Sequence, residues 1–359
     1  MKASILYLAY IRLPTERAHG AQIIKTCEAL GRLGVTVELL LPVRQTPISE
    51  DVFRYYNAEP VFKIIRIPVP NLPFIGSLGF AISALWFSEV ARWSESFKKT
   101  DVIYSRDAMV LLQYLFLRRK IVYEAHTKPT FISKLVARYV YKLVVISEGL
   151  RDAYIASGVR SDKVIVAHDA IDVHAFDEIY NSDESRQWLG IPFDKKIALY
   201  VGLIDAAKGA DTFAAASDYL PDSILPVLIG SGPLKATLRE RYPRVLFLPE
   251  TPYRDVARVL ASADVLVLPN SSKDEDMSKF TSPLKAFAYL AARKPIVSSD
   301  VVALRNILPE DTVFFHSDDP KSLAEGLLHA LSEKYVKSPH RHRIHSWDDR
   351  AQTILTSLR

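Results

Sequence analysis

KFTSPLKAFAYLAARKPIVSSD, residues 279–300, is the stretch that decides the fold. It begins as a loop. Ser282 is a good N-cap and Pro283 suits a first helical position. Residues 284–292 then read as an apolar helix, Lys294-Pro295 ends it, and 296–298 is an apolar run of strand character. Just upstream, DVLVLP at 264–269 reads as a buried parallel strand running into a loop. The unit is strand, loop, capped helix, strand. In an open α/β sheet such a loop lies at the carboxyl ends of the strands, where ligands bind. The N–H groups that open a helix attract an anion, and Lys285 stands beside them in the first turn. The pattern predicts a phosphate site built from the backbone of Ser282, Pro283 and Leu284 together with Lys285.

The same unit recurs along the chain. Residues 4–9 form a short apolar run, a loop at 10–20 carries Arg12, Glu16, Arg17, His19 and Gly20, and helical periodicity runs over 21–33. Gly34 ends that helix and 35–41 is a second strand. The loop lacks GxGxxG, so it is not read as a dinucleotide site. Further strands fall at 101–104, 121–126, 143–146 and 164–166, and His126 stands at the carboxyl end of one of them. Residues 172–194 are charged and read as an irregular interdomain linker. A second half then repeats the pattern: strand 197–201, loop GLIDAAKG at 202–209, helix 210–219, and the turn LIGSGPL at 228–234. Gly202 and Gly230 end strands there, and glycine allows backbone to approach a ligand closely. Lys208 lies between the flanking residues of the first loop. Tyr253 follows a short strand at 245–247, placed either to stack on a base or to cover the core. Amphipathic helices at 322–330 and 347–358 close the chain.

SPLKAFAYLAARKPIVSSD (282–300) resembles the SPLK-LFEYMA-x-G-KPIVASD signature of family 4 retaining glycosyltransferases of the GT-B fold. DVIYSRD, VYEAH, ISEGL, VIVAHDAID, GLIDAAKG and LIGSGPL resemble further segments of that family in the same order, so the likeness covers nearly the whole chain. It implies an α/β fold of two Rossmann-like, doubly wound domains facing each other across a cleft. Residues 1–172 would be the acceptor-side domain, 173–345 the nucleotide-sugar domain, and 346–359 a closing helix packed back on the first. It also implies transfer of a hexose-type sugar, with retention, from a nucleotide-diphosphate donor to a saccharide, lipid-linked glycan or other glycoconjugate in polysaccharide biosynthesis. Lys208 and Lys285 would hold the diphosphate, with Gly202, Gly230, Ser282, Pro283 and Leu284 around it, Tyr253 near the base, and His126 and the Gly20 loop near the sugar or acceptor. No cofactor beyond the donor and no metal is expected. The Asp274-Glu275-Asp276 loop matches the metal motif of the other large glycosyltransferase fold, and two successive Rossmann-like halves speak against that reading. Six positions depart from the pattern: Ala288 and Phe280 replace glutamates, Arg293 and Ala170 replace glycines, Leu203 replaces an arginine, and His168 replaces a proline or its neighbour. Two other readings stay open at this point, a degenerate non-catalytic binding or scaffold subunit and a GT-B nucleotide-sugar epimerase using Glu16, His19, Glu124 and His126.

The 359 residues suffice for two domains, 49 % hydrophobic and 24 % charged residues suit a soluble globular chain, and nothing resembles a nucleic-acid motif. The single cysteine, Cys27, rules out an internal disulfide framework and fits a reducing, cytoplasmic compartment. The start, 1–10, reads as a strand rather than a signal peptide. Net charge is +5, and the basic excess lies in 1–172, with 23 Lys and Arg against 16 Asp and Glu; the remainder has 23 against 25. Residues 67–88 carry no charge, but Pro68, Pro70, Asn71, Pro73, Gly76 and Gly79 restrict the helical part to about 78–87. The reading is a buried or surface-seeking helix. Peripheral contact with the inner face of a membrane, through this segment and the basic N-terminal half, is a second reading.

Overall fold

In the computed structural model, residues 3–358 are described apart from 71, 73–75, 177–179, 334 and 336–344. The chain forms two units, Met1–Asp169 with Ser346–Arg359, and Ala170–His345. The first unit runs β1 (Ser4–Leu8), α1 (Ala18–Arg32), β2 (Thr36–Pro42), α2 (Val52–Tyr55), β3 (Lys63–Ile67), α3 (Gly76–Trp93), α4 (Glu95–Lys99), β4 (Val102–Ser105), α5 (Ala108–Leu111), β5 (Lys120–Ala125), α6 (Phe131–Tyr139), β6 (Lys142–Val145), α7 (Glu148–Ala156) and β7 (Val164–Val166). Its seven strands lie in the order β3-β2-β1-β4-β5-β6-β7, and neighbouring strands pair in parallel. The central strands are apolar on both faces, as a sheet covered on both sides by helices requires.

Two helices differ from the sequence reading here. α1 begins at Ala18, so His19 and Gly20 lie in its first turn rather than in the preceding loop. A side chain on Gly20 would start 2.2 Å from the Tyr56 hydroxyl, which bonds the backbone of Thr15. The glycine lets the helix start seat against that tyrosine. α3 extends at both ends beyond 78–87, because Glu89 and Arg92 continue the same helical face pattern instead of ending it. Of the breakers ahead of it, Asn71 and Pro73 lie outside the described residues. No helix among the described residues is long and apolar enough to cross a membrane.

The second unit runs α8 (Ser182–Leu189), β8 (Lys196–Val201), α9 (Ala210–Ala216), β9 (Ile224–Ile229), α10 (Lys235–Arg241), β10 (Leu246–Leu248), α11 (Val256–Ala261), β11 (Val265–Leu268), α12 (Leu284–Ala292), β12 (Ile296–Ser299), α13 (Val302–Arg305), β13 (Val313–Phe315) and α14 (Pro320–Ala330). Its six parallel strands lie in the order β10-β9-β8-β11-β12-β13. One face buries Phe213, Leu323 and Leu327 from α9 and α14, and the other buries Val259, Phe287 and Tyr289 from α11 and α12. The charged segment after 172 is not irregular throughout. It holds α8, whose N-cap Asn181 accepts from the backbone of Asp183 and Glu184 and whose end is the left-handed Gly190. The mostly polar sequence of α8 hid its periodicity.

α12 spans the expected residues, but its cap differs. Pro283, not Ser282, takes the N-cap position, with φ −73° and ψ 125°. At the other end Arg293 adopts φ 55°, the left-handed conformation a glycine would take without strain, at a cost of about 1 kcal/mol. A π-helical turn, Asp276–Phe280, occupies part of the preceding loop, and Asp274 accepts from the Met277 backbone within it.

The chain then returns to the first unit as α15 (Trp347–Ser357), opened by a capping box between Ser346 and Asp349 and packed along α1. Its Arg350 donates to the Thr26 hydroxyl of α1 at 3.2 Å and is itself buried.

Candidate active site

In the second unit the chemistry gathers at the carboxyl ends of β8, β9 and β11. The loop after β8 closes with Gly209, at φ 68°; a Cβ there would stand 1.7 Å from the Pro269 carbonyl oxygen at the end of β11. Gly230, at φ 154°, likewise leaves room for the Gly202 carbonyl, which a Cβ would meet at 1.9 Å. Both glycines serve close backbone approach, so the strand-end loops pack directly on one another. Ser231 donates to Glu250 at 2.7 Å, which ties the loop after β9 to the loop after β10. Tyr253 lies half-buried at the start of the turn preceding α11.

The loop after β8 presents Lys208 and α12 presents Lys285. The Lys208 backbone donates to Asp205 at 2.7 Å, and its ammonium reaches the Met277 sulfur at 2.7 Å. Lys285 is half-buried as a residue, but its ammonium is fully buried, lies 4.2 Å from the centre of the Tyr200 ring, and has no hydrogen-bond partner among the described residues. Burial pushes the Lys285 ammonium well below its ordinary value, the charge of Lys208 pushes the same way, and Asp205 opposes both. Lys208 is pushed down by burial against Asp205 and Asp274. A buried, unmatched ammonium is costly, and a bound anion removes the cost. α12 adds N–H groups at its start that lack intrahelical partners. Its position is fixed one turn on, where the Tyr289 hydroxyl accepts from the Val201 backbone at 3.0 Å. Tyr200, Asp205 and Met277 complete this cluster, and the sequence reading missed all three. It also missed Asn270, fully buried at the end of β11 with neither end of its amide hydrogen-bonded among the described residues.

The departures from the family pattern have defined surroundings. Leu203 is half-exposed, and its carbonyl accepts the Tyr200 hydroxyl at 2.6 Å. Ala288 is buried within the apolar layer of α11 and α12. A carboxylate there would be buried among apolar neighbours at a cost of several kcal/mol.

In the first unit the chemistry lies around the end of β5. His126 Nε2 is 2.5 Å from Glu124 Oε1, Arg350 Nη2 is 2.9 Å from the same oxygen, and the Tyr104 hydroxyl donates to the other. Burial works to raise the Glu124 carboxyl, but Arg350 and then His126 outweigh it and hold it well below the carboxylate range. Glu124 is therefore an acceptor only, and His126 carries its proton on Nε2, leaving Nδ1 as an acceptor. Burial, then the Arg106 charge, push His126 down to about 4 against the pull of Glu124. At neutral pH it is an uncharged imidazole, better suited to receiving a hydroxyl than to removing its proton. Arg106 in turn donates to Gln22 at 2.8 Å, and Gln22 to Asp169 at 2.5 Å. In the preceding loop Arg12 and Glu16 pair at 2.6 Å. His19 is pushed down to about 4 by burial and by Arg106 and Arg17.

These groups set a pH dependence of stability. His126 and His19 titrate ordinarily at 6.5 but near 4 in the fold, so between those values the unfolded chain binds protons that the native protein does not. Each therefore lowers stability as pH falls from 6.5 towards 4. Asp169, raised by burial from 3.8 to about 6, acts oppositely between those values. The two histidines act from 6.5 downwards, whereas Asp169, and Asp107, which burial also raises, oppose them only lower in the range. Melting temperature is expected to fall from pH 7 to 5, and His126→Gln should make the fall shallower. A flat wild-type profile would contradict these assignments.

Two family models match the chain: "Glycosyltransferase Family 4" over residues 20–175 and "Glycosyl transferases group 1" over 195–333. Among curated relatives, a putative teichuronic acid biosynthesis glycosyltransferase, TuaC of Bacillus subtilis, is 34 % identical over 156 residues, 43 % of this chain and 38 % of the relative. A D-inositol 3-phosphate glycosyltransferase of Xylanimonas cellulosilytica is 26 % identical over 193 residues, 49 % of this chain and 45 % of the relative. The chain thus spans less than half the length of these curated relatives. Among solved structures, Anabaena Alr3699/HepE in complex with UDP and glucose superposes with a TM-score of 0.77 at 14 % identity, covering 99 % of this chain and 98 % of that one. Sucrose-phosphate synthase of Thermosynechococcus elongatus gives 0.74 at 17 % identity, over 99 % and 94 %. The two family models between them span most of the chain, the two parallel-sheet units are Rossmann-like, and the chain belongs to the family 4 glycosyltransferases of GT-B fold.

Proposed function

We propose that the protein is a cytoplasmic, retaining glycosyltransferase that moves a sugar from a nucleotide-diphosphate donor to a saccharide or glycoconjugate acceptor in polysaccharide biosynthesis. One observation carries this reading: the buried Lys285 ammonium at the start of α12, with no hydrogen-bond partner among the described residues and next to the charge of Lys208. Such a pair suits a diphosphate. The glycine-held strand-end loops around it bring backbone close to the same place, and Asn270 offers a buried amide. In the reaction the bond from the anomeric carbon to the diphosphate oxygen breaks, and a bond from that carbon to the acceptor oxygen forms on the same face. The acceptor's proton passes to the departing diphosphate. Negative charge grows on that group, and Lys208, Lys285 and the opening N–H groups of α12 stabilise it. No protein nucleophile enters this scheme, and the lysines supply the positive field that a metal would otherwise supply. His126, uncharged and steadied by Glu124, receives a hydroxyl of the sugar or acceptor at Nδ1.

HepE was solved with UDP and glucose, and TuaC is named for teichuronic acid biosynthesis, which makes UDP-sugars the first donors to try and cell-envelope glycans the first acceptors. The reading is tested by incubating the protein with UDP-sugars and glycan acceptors. Release of UDP, with the donor's anomeric configuration kept in the product by proton NMR and turnover unaffected by a chelator, is expected. An inverted product, or nucleotide sugar consumed without transfer to give its epimer, would overturn it.

A further inference from the structure

One helical layer of the first unit carries large apolar side chains that are exposed among the described residues. β3, β4, β5 and β6 follow one another across the sheet in one direction, so their right-handed crossovers place α3, α5 and α6 on the same side. α3 packs against α5 and α5 against α6, which makes one helical layer. On α3, Leu78, Ile82, Trp86 and Trp93 recur at helical spacing on the side opposite the buried Ala84, Phe87 and Ala91. Trp86 is 55 % exposed and Trp93 67 %. On α6, Phe131, Leu135 and Tyr139 repeat every fourth residue and are all exposed. Phe116, in the connection after α5, is 88 % exposed and Phe131 84 %. Exposed apolar surface this extensive marks an interaction site rather than ordinary surface.

Its charge selects the partner. Arg118 in the connection after α5, Lys128 just ahead of α6 and Lys134 on α6 supply positive charge, while Arg119, Arg138 and Lys142 donate to backbone carbonyls; from 108 to 147 the only acid, Glu124, is buried. On α3 itself the one acid of the stripe, Glu89, accepts from the Trp93 indole at 2.8 Å. A face that is both aromatic and basic repels a second copy of itself and attracts a negative, amphipathic surface. Tryptophan, phenylalanine and tyrosine settle at the boundary between acyl chains and headgroups, while lysine and arginine reach the phosphates. We propose that the α3–α5–α6 face of the first unit docks on an anionic lipid bilayer. None of the residues proposed to hold the donor takes part, so failure of either proposal leaves the other standing.

The test is flotation of the full chain with vesicles of equal parts phosphatidylcholine and phosphatidylglycerol, against phosphatidylcholine alone. The protein floats with the anionic vesicles and far less with the neutral ones. Trp86→Ser/Trp93→Ser/Phe131→Ser and, separately, Arg118→Glu/Lys134→Glu each weaken flotation about tenfold or more. All five positions lie on the surface, and melting temperatures matching wild type establish that the variants fold. Wild type that stays with the dense fraction, or variants that float like wild type, would overturn the proposal. So would a dimer in solution that the triple variant makes monomeric without any vesicle binding, since the face would then join two copies.

Discussion

Lys285→Met should melt at a higher temperature than the wild type in the absence of ligand, and should lose nucleotide-sugar turnover by about a hundredfold to a thousandfold. The two effects share one cause. Methionine keeps much of the lysine stem's volume against Tyr200 but removes an ammonium that is buried without a hydrogen-bond partner among the described residues. Exchanging a buried charged group for an apolar one of similar size stabilises by about 1–4 kcal/mol, and the contact with the Tyr200 ring places this case at the lower end. The ligand-free protein thus holds its second unit in a destabilised arrangement that suits an anion. On the proposed reading turnover falls because the same ammonium would meet the growing charge on the diphosphate. Lys208→Ala should cost activity without the gain in stability, because the Lys208 ammonium already has the Met277 sulfur beside it. A Lys285→Met protein that melts lower than wild type would mean that the ammonium is satisfied in the ligand-free state.

The largest loss of stability is expected from breaking the pair between Glu124 and Arg350. Both side chains are 2 % exposed, and the pair joins the end of β5 to the returning helix α15. Glu124→Ala strands a buried guanidinium, which costs about 3–5 kcal/mol, and unties the Tyr104 hydroxyl and His126 Nε2 as well. At the usual scaling this lowers the melting temperature of the first unit by about 10 °C. Arg350→Met strands the carboxylate instead and should cost a similar amount. Glu124→Gln/Arg350→Met removes both charges and should recover a good part of the loss, so the double variant is more stable than either single change predicts. Additive losses in that cycle, measured by thermal unfolding, would mean that the two side chains are not coupled.

Much of the core was readable because buried parallel strands are short, continuous apolar runs, and β8, β11 and β12 stand out as such. The strand–loop–helix unit around α12 was readable for the same reason, with Pro283 and the polar residues before it marking the start within one residue. Helix edges failed where the deciding contact lies elsewhere in the chain. α1 starts early because Tyr56 and Thr15 make a seat for Gly20, and α8 was hidden by its polar surface, although Asn181 and Gly190 bracket it with ordinary capping signals. In the candidate site, the sequence offers Lys208 and Lys285 but not their surroundings. That Asp205 bonds the Lys208 backbone, and that Lys285 lies against Tyr200, depends on how two loops pack. Glu124 gave a signal, an acid inside an apolar strand. Arg350 gave none, since its partner lies far away in the sequence and its helix reads as an ordinary amphipathic one.

The measurement that bears most directly on the whole account is the melting temperature of wild type and Lys285→Met with UDP, GDP, ADP, CMP and TDP. A ligand that binds only the folded protein raises it. The account predicts a clear rise for the wild type with one of these nucleotides, UDP first, and none for Lys285→Met. A wild type unmoved by every nucleotide, or the same rise in both proteins, would contradict it.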